Sequence, residues 1–205
     1  MVRRPLAKRS LDLVVAGALL LVLSPVVALI LVAYAFDCLL VPADRGPLLY
    51  REPRVSQGRT FGLLKFRTLR RDVLARAAGH VRPHEVDVAN LTSLGRRILK
   101  PWYLDEIPQL LNVLRGDISL VGPRPWPPEM VARQVAEGLP YRNEIAAGLT
   151  GLAQVTKGAG RRYAELDLVY VDTSRRLSSW ALLRYDLRIL VRTVGVILRR
   201  EGLSY

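Results

Sequence analysis

Two adjacent carboxylates, Asp105 and Glu106, stand in the segment "WYLDEIPQLLNVL" at residues 102–114. A carboxylate can attack phosphorus and form a covalent acyl phosphate. Its neighbour can hold a divalent cation, and Mg²⁺ suits such a site because it binds few protein carboxylates together with substrate phosphates. Taken alone, the pair fits a second interpretation better, in which Asp105 is the N-cap of a helix with Pro108 in its first turn.

The cations of the chain favour the chemical interpretation. Four of them lie in apolar or proline-rich contexts rather than in runs of charge: Lys65, Arg67, Lys100 and Arg124. Pro123 and Pro125 restrict the backbone around Arg124, whose guanidinium fork matches phosphate. Fixed cations near a carboxylate pair, in a chain that also carries an apolar segment, predict phosphoryl transfer on a lipid.

The overall charge restricts the classes of partner. The 205 residues include 31 lysines and arginines against 18 acids, a net charge of +13. Such a balance predicts an anionic partner, either nucleic acid, anionic lipid or a phosphate-bearing substrate. The sequence carries no helix-turn-helix, zinc or aromatic nucleic-acid signature, so nucleic acid is not the predicted partner. A non-enzymatic, basic, membrane-anchored protein that binds anionic lipid or nucleic acid remains the alternative function. Cys38 is the single cysteine, which excludes an internal disulfide.

Residues 13–36 carry no charge and are long enough to span a bilayer as a helix. Ser24 and Pro25 lie at the middle, where proline removes a helix hydrogen bond. Basic residues flank both ends, and the positive-inside rule would keep both ends in the cytoplasm. The residues alone therefore leave two topologies open, a re-entrant helix–break–helix and a kinked transmembrane helix.

The remaining pattern predicts a mainly helical α+β domain. Gly58 indicates a turn between two short strands, and apolar residues from Leu104 to Leu114 recur at helical spacing before Gly116. A strand in "DISLV", a helix over 128–137 and an amphipathic C-terminal helix with a basic stripe follow, and this last helix suits the membrane interface. His80 and His84 lie near Glu85 and Asp87, where Gly79 and Pro83 favour solvated loop histidines over a metal site.

Three motifs together carry a family resemblance: "KFRTL" at 65–69, "YLDEIPQLLNVLRGDISLVGPRP" at 103–125 and "GLTGLAQV" at 148–155. They resemble the bacterial sugar transferase family, the monotopic phosphoglycosyl transferases of envelope glycan assembly. The resemblance covers nearly the whole chain. It implies transfer of a sugar 1-phosphate from a nucleotide sugar, usually a UDP-sugar, to polyprenyl phosphate, with release of UMP.

The resemblance also implies roles for individual residues. Asp105 would be the nucleophile that forms a covalent phosphosugar intermediate, and Glu106 would bind Mg²⁺. Arg124, between Pro123 and Pro125, would belong to the donor site. Other site residues follow from the same match: Lys65 and Arg67 would line the phosphate pocket, Lys100 would stand where the family commonly has arginine, and Asp167 would lie near the active site.

The topology implied by the resemblance is re-entrant, with the break at Ser24 and Pro25. Residues 1–41 would form a re-entrant membrane element that enters one leaflet. Residues 42–205 would form a catalytic domain, with interfacial amphipathic helices and short strands, at the cytoplasmic face of the bacterial inner membrane. A polytopic transferase without a covalent intermediate would need several membrane segments, and only one candidate segment is present.

Some positions depart from the family pattern. Lys100 keeps a point charge but loses the bidentate fork of arginine. Trp102 and Tyr103 replace the small hydroxyl residues often seen before "LDE". These departures leave the sugar undetermined. The oligomeric state is also open, with a homodimer as one alternative.

Overall fold

The computed structural model describes residues 2, 4–77, 81–156 and 163–199, and within them the fold is mainly helical α+β. The helices are α1 (Leu6–Leu40), α2 (Arg71–Ala77), α3 (Gln109–Arg115), α4 (Pro128–Ala136), α5 (Leu152–Val155), α6 (Tyr163–Arg176) and α7 (Ser179–Leu198). The strands are β1 (Leu49–Ser56), β2 (Arg59–Phe66), β3 (Ser119–Val121) and β4 (Gly148–Thr150). The predicted turn at Gly58 is confirmed: Gln57 and Gly58 both have positive φ and join β1 to β2 in a two-stranded sheet.

Helix α1 is the element, among the described residues, whose length and composition would allow it to cross a membrane. It begins at Leu6, before the uncharged segment, and runs through Pro25 to Leu40. Pro25 has no N–H to donate to the carbonyl oxygen four residues earlier, which belongs to Leu21. The Ser24 hydroxyl donates to that oxygen at 2.8 Å. Ser24 therefore satisfies the acceptor that the proline would otherwise leave without a partner, and the helix continues through the site of the predicted break.

The chain divides into two compact units. Unit 1 comprises Met1–Ala16, Arg54–Phe61 and Val113–Tyr205, and unit 2 comprises Gly17–Pro53 and Gly62–Asn112. The division of the sequence into residues 1–41 and 42–205 concerns membrane topology and stays a prediction.

In unit 1, β3 and β4 pair in parallel, with Ser119 opposite Gly148 and Val121 opposite Thr150. The backbones approach so closely that a Cβ on Gly148 would lie 2.0 Å from the nitrogen of Gly122. Only glycine fits at Gly148, which explains the glycine in this part of "GLTGLAQV".

The start of α1 belongs to unit 1 and is held there by buried charges. Lys8 is 6% exposed, and its ammonium group donates to the carbonyl of Val121 at 2.9 Å, to the Tyr170 hydroxyl at 3.1 Å and to the Asp186 carboxylate. Asp12 accepts from the backbone N–H of Leu120 at 2.8 Å. Arg9 donates to the carbonyls of residues 113 and 114, near the end of α3. These basic residues are therefore bound to protein groups, although in the sequence they form the charged flank of the apolar segment.

Unit 2 contains the later part of α1, from Gly17 onward. Ile30 is buried in one cluster with Phe66, Leu94, Leu99 and Ile107. Partly buried apolar residues of α1 pack against this cluster: Leu20, Leu23, Val26, Val27, Ala33 and Tyr34. Other large apolar residues of the same helix are exposed: Leu21, Val22, Leu29, Val32, Phe36, Leu39 and Leu40. Helix α1 thus presents one face to the core of unit 2 and leaves a second apolar face exposed.

Candidate active site

Asp105 lies in a 3₁₀ turn, Leu104–Glu106, that precedes α3. The turn is entered from Tyr103, whose φ of 54° is in the left-handed region that non-glycine residues rarely adopt. Because α3 begins only at Gln109, the interpretation of Asp105 as the N-cap of that helix is wrong. The Asp105 side chain is instead buried, with 3% of the residue exposed.

Lys100 places its ammonium group between two carboxylates of unit 2. Its Nζ atom lies 3.2 Å from Asp105 Oδ2 and 2.6 Å from Glu85 Oε1. Lys100 follows a π-helical turn, Gly95–Leu99, which its own N–H closes by donating to the carbonyl of Gly95 at 2.9 Å. Burial alone would lower the pKa of Lys100, but the carboxylates of Asp105 and Glu85 raise it above the ordinary lysine value. The ammonium group is therefore charged at neutral pH.

The Asp105 carboxyl group combines burial with nearby charges of both signs. Its pKa is raised to about 6, and burial is the largest cause. The negative charge of Glu106 also raises the pKa, whereas the ammonium groups of Lys100 and Lys65 lower it. At neutral pH the group is still mainly ionised, but it is poorly solvated. A buried, ionised carboxylate beside two ammonium groups is suited to attack an electrophile that brings its own negative charge.

Lys65 lies on β2 and makes an ion pair with Glu52 of β1, with Lys65 Nζ 3.3 Å from Glu52 Oε2. Both side chains are largely buried. Each of the two lysines near Asp105 is thus paired with a glutamate, Lys65 with Glu52 and Lys100 with Glu85. The structure therefore brings Lys65, Lys100 and Asp105 together, as the sequence predicts, and adds two acids to the group.

Arg67 has a different environment from the two lysines. It is 4% exposed, and its guanidinium group donates to three backbone carbonyls, those of Pro47 at 2.8 Å, Leu69 at 2.8 Å and Asp44 at 2.5 Å. Arg67 also lines a cavity together with Lys65 and Glu85. The predicted position of Arg67 in a pocket with Lys65 agrees with this geometry, but its guanidinium group binds and orders the backbone around the pocket.

Glu85 is a site residue that the sequence interpretation missed. In the sequence, Glu85 stands out only as a neighbour of His80 and His84 in a polar segment, and His80 lies outside the described residues. The spacing of Glu85 from Lys100 is too long for any local rule to pair them, so the sequence carries no signal for this contact. Among the described residues, no group of three or more histidine, cysteine or acidic side chains is arranged to bind a metal.

The proline-rich loop that contains Arg124 belongs to unit 1. Pro123 and Pro125 are buried, whereas Arg124 between them is exposed. The carbonyl of Pro123 accepts from the N–H of Gly148 at 2.9 Å. The loop therefore has a fixed backbone and presents one guanidinium group at the surface of its unit.

Asp167 lies on α6, also in unit 1, and is 2% exposed. Its Oδ2 atom accepts from Arg142 Nη2 at 2.6 Å and from the Tyr141 hydroxyl at 3.1 Å. Burial raises the pKa of Asp167, and the adjacent Arg142 guanidinium opposes the rise. The same hydroxyl group of Tyr141 has its pKa raised to about 12, mainly by burial. Arg142 is a second residue without a recognisable signal in the sequence.

Comparison with known proteins identifies the family of this chain. The profile of the family described as "Bacterial sugar transferase" matches residues 3–200. The chain belongs to the bacterial sugar transferase family.

Individual relatives show the same relationship. An "Uncharacterized sugar transferase" of Haemophilus influenzae is 36% identical over 95% of this chain and 41% of its own length. The "Undecaprenyl-phosphate galactose phosphotransferase" of Salmonella typhimurium is also 36% identical, over 95% of this chain and 41% of its own length. The "UDP-glucose:undecaprenyl-phosphate glucose-1-phosphate transferase" of Caulobacter vibrioides is 36% identical over 96% of this chain and 72% of its own length. This chain thus spans about two fifths of the length of the first two and nearly three quarters of the third.

Proposed function

We propose that this chain transfers a sugar 1-phosphate from a UDP-sugar to polyprenyl phosphate, giving a polyprenyl diphosphate sugar and UMP. The observation that carries the proposal is the buried carboxylate of Asp105, held 3.2 Å from the ammonium group of Lys100 and acted on by the charge of Lys65. The names of the Salmonella and Caulobacter relatives support the substrate classes.

Asp105 would act as the nucleophile in a two-step reaction. In the first step, a carboxylate oxygen of Asp105 bonds to the phosphorus that carries the sugar, and the bond from this phosphorus to the bridging oxygen breaks, so UMP leaves with the electron pair. In the second step, an oxygen of polyprenyl phosphate attacks the same phosphorus and releases the Asp105 carboxylate. Lys65 and Lys100 would stabilise the negative charge of the phosphoryl group in both steps.

The acidic residues are compatible with a bound Mg²⁺. Glu106 is half-buried next to Asp105, and its negative charge contributes to the raised pKa of Asp105. A cation would reduce the repulsion between these two carboxylates, and Mg²⁺ needs only one or two protein carboxylates when phosphates supply further oxygens. Glu106 would hold the ion. When bound, Mg²⁺ would supply charge neutralisation at the phosphate oxygens.

Arg124 would contact the nucleotide-sugar donor. It is exposed on a loop whose flanking prolines are buried. A guanidinium group on a fixed backbone can form bidentate bonds to a diphosphate with little loss of conformational entropy.

Helix α1 would enter one leaflet of the bacterial inner membrane, with the rest of the chain on the cytoplasmic face. Its start is bonded to unit 1 through Lys8 and Asp12, and one face of its later part packs in the core of unit 2 with Phe66 and Leu99. A helix wholly embedded across the bilayer would be surrounded by lipid along most of its length. In a chain with Cys38 replaced by serine, cysteines at the exposed positions Leu6 and Arg45 should both label from the cytoplasmic side, and labelling from opposite sides would refute the re-entrant topology.

Helix α7 would lie at the membrane interface. Its exposed residues combine large apolar side chains with arginines: Trp180, Leu187, Val191, Val194 and Ile197 with Arg184, Arg188 and Arg192. Such a combination is typical of helices that lie on anionic lipid.

The decisive experiment measures UMP release by the purified full-length chain from a panel of UDP-sugars, with polyprenyl phosphate and Mg²⁺. Release should depend on both the acceptor and Mg²⁺, and Asp105→Asn should abolish it. Mass spectrometry of the protein incubated with donor alone should detect a phosphosugar adduct on a peptide containing Asp105. Turnover retained in Asp105→Asn would refute the nucleophile assignment. Salt-sensitive binding of anionic lipid that is indifferent to Asp105, without UMP release from any donor, would favour the non-enzymatic alternative.

A further inference from the structure

The backbone of the Arg124 loop is held at three positions within unit 1. The carbonyl of Pro123 is bonded to the N–H of Gly148 at 2.9 Å, and that of Trp126 to the N–H of Val55 at 3.0 Å. Between them, the carbonyl of Arg124 accepts from Arg142 Nη1. The first two bonds join backbone to backbone, whereas the bond to Arg124 itself depends on one side chain.

That side chain, Arg142, is fixed by several contacts at once. It is 4% exposed, and besides Arg124 its guanidinium group donates to Gln134 Oε1 at 3.0 Å and to Asp167 Oδ2 at 2.6 Å. The guanidinium carbon also lies 3.9 Å from the ring centroid of Trp126. A planar fork can make these contacts simultaneously, whereas a lysine ammonium group at the end of a flexible stem cannot.

Asp167 fixes the orientation of Arg142. Its bonds to Arg142 and to the Tyr141 hydroxyl both use Oδ2, and the residue is 2% exposed. Tyr141 in turn accepts from Gln134 Nε2 at 3.1 Å. A buried hydrogen-bond network therefore runs from Asp167 on α6 through Arg142 to the backbone carbonyl of Arg124.

We propose that Arg142 is a positioning residue for the donor loop, and that Asp167 acts through Arg142 by fixing where the Arg124 guanidinium group is presented. The inference that this loop meets a nucleotide diphosphate rests on the proposed function. Neither Arg142 nor Asp167 contacts the substrate in this assignment. Loss of either residue should weaken donor binding while leaving the acceptor step unchanged.

The test uses Asp167→Asn and Arg142→Lys in the full-length chain, with Tyr141→Phe as the matched control. Tyr141→Phe removes a hydroxyl group from the same buried network but leaves the bonds of Arg142 to Asp167 and Arg124 in place. We expect KM for the UDP-sugar to rise about tenfold in both test variants, which corresponds to about 1.4 kcal/mol of binding. KM for polyprenyl phosphate should stay at the wild-type value, and the control should keep both constants even if its thermal midpoint falls.

A double variant, Arg142→Met with Asp167→Asn, separates positioning from charge balance. It removes the buried charge pair without leaving one charge unpaired, so its fold should be less perturbed than that of either single variant. If the pair only balances charge, the double variant should recover the wild-type KM for the donor. If Arg142 positions the loop, the KM should stay raised, and recovery would overturn the proposal.

A second readout does not depend on activity. In a chain with Trp102→Phe and Trp180→Phe, Trp126 is the remaining tryptophan, and acrylamide quenching reports access to its ring. Asp167→Asn, which acts on the Arg142 guanidinium group that stacks on this ring, should increase the quenching constant, whereas Tyr141→Phe should not. Unchanged quenching in Asp167→Asn would overturn the proposal. If the wild-type chain released no UMP, the proposed function would fail, and increased quenching would still support the role of Asp167 and Arg142 in fixing the loop.

Discussion

The buried ion pair between Lys8 and Asp186 makes the attachment of α1 to unit 1 measurable. Lys8 is 6% exposed and Asp186 is fully buried. Replacing Asp186 by asparagine keeps the shape of the side chain but leaves the ammonium group of Lys8 without its counter-charge. Breaking a buried pair from one side costs about 3–5 kcal/mol of the free energy of unfolding. Lys8 keeps two further acceptors, the carbonyl of Val121 and the Tyr170 hydroxyl, so we expect the lower value.

A loss of about 3 kcal/mol should be visible as a shift of the thermal midpoint. For a chain of this length each kcal/mol lowers the midpoint by about 2–4 °C, so Asp186→Asn should unfold about 6–12 °C below the wild type. The measurement is thermal unfolding in detergent micelles, followed by tryptophan emission. The matched control is Asp186→Asn combined with Lys8→Met, which removes both charges and keeps the polar side chain beside Tyr170. This double variant loses the three hydrogen bonds that Lys8 donates, but it leaves no buried charge without a counter-charge, so its cost should be smaller than that of Asp186→Asn.

Two results would refute this reasoning. If Asp186→Asn unfolds within 1 °C of the wild type, about a sixth of the smallest expected shift, the pair does not stabilise unit 1. If the double variant is as unstable as the two single variants added together, Lys8 and Asp186 are not coupled.

Three further changes test other contacts. Glu85→Gln should slow formation of the phosphosugar adduct about fivefold, because Lys100 would then bind Asp105 more tightly. Asp72→Asn, which removes an exposed acid of unit 2, is the control, and an unchanged single-turnover rate in Glu85→Gln would contradict this role. Asn112→Leu should lower the free energy of unfolding by about 2–4 kcal/mol, because the buried N–H of Leu64 and the carbonyl of Gly62 lose their amide partner. A thermal midpoint equal to that of the wild type would contradict this stabilising role of Asn112. Ser24→Ala should lower the free energy of unfolding by about 1 kcal/mol in the wild type. In a Pro25→Ala background it should have no effect, because the alanine N–H can donate to the Leu21 carbonyl. Equal losses in both backgrounds would disprove the compensation by Ser24.

The elements that local rules specify were predicted well from the sequence. The turn at Gly58, the end of the helix before Gly116 and the helix beginning at Pro128 each depend on the backbone preferences of glycine or proline, and all three are confirmed. The sequence places Lys8 in the basic flank of the apolar segment and carries no signal that Lys8 and Asp12 are bound within unit 1. Their partners are more than a hundred residues away in sequence, so no periodicity could identify the contact.

Contacts between residues far apart in sequence also limit what could be predicted for the candidate active site. The sequence predicts four cations near Asp105: Lys65, Arg67, Lys100 and Arg124. Of these, Lys100 lies 3.2 Å from Asp105, the charge of Lys65 opposes the rise in the pKa of Asp105, and Arg124 belongs to unit 1. The sequence could not predict that Arg67 donates to three backbone carbonyls, or that Glu85 and Glu52 accompany the lysines, because these contacts are set by the folding of distant segments. Arg142 carries no sequence signal for the same reason.

The shared core of unit 2 has a practical consequence for handling the protein. Ile107, two residues after Asp105, and Leu99, one residue before Lys100, are buried in the same cluster as Ile30 of α1. Deleting the hydrophobic N-terminus to obtain a water-soluble fragment would remove apolar contacts that stabilise the segment containing Asp105 and Lys100. Changes that strain α1, such as a different detergent, should therefore alter the environment of the Asp105 carboxylate.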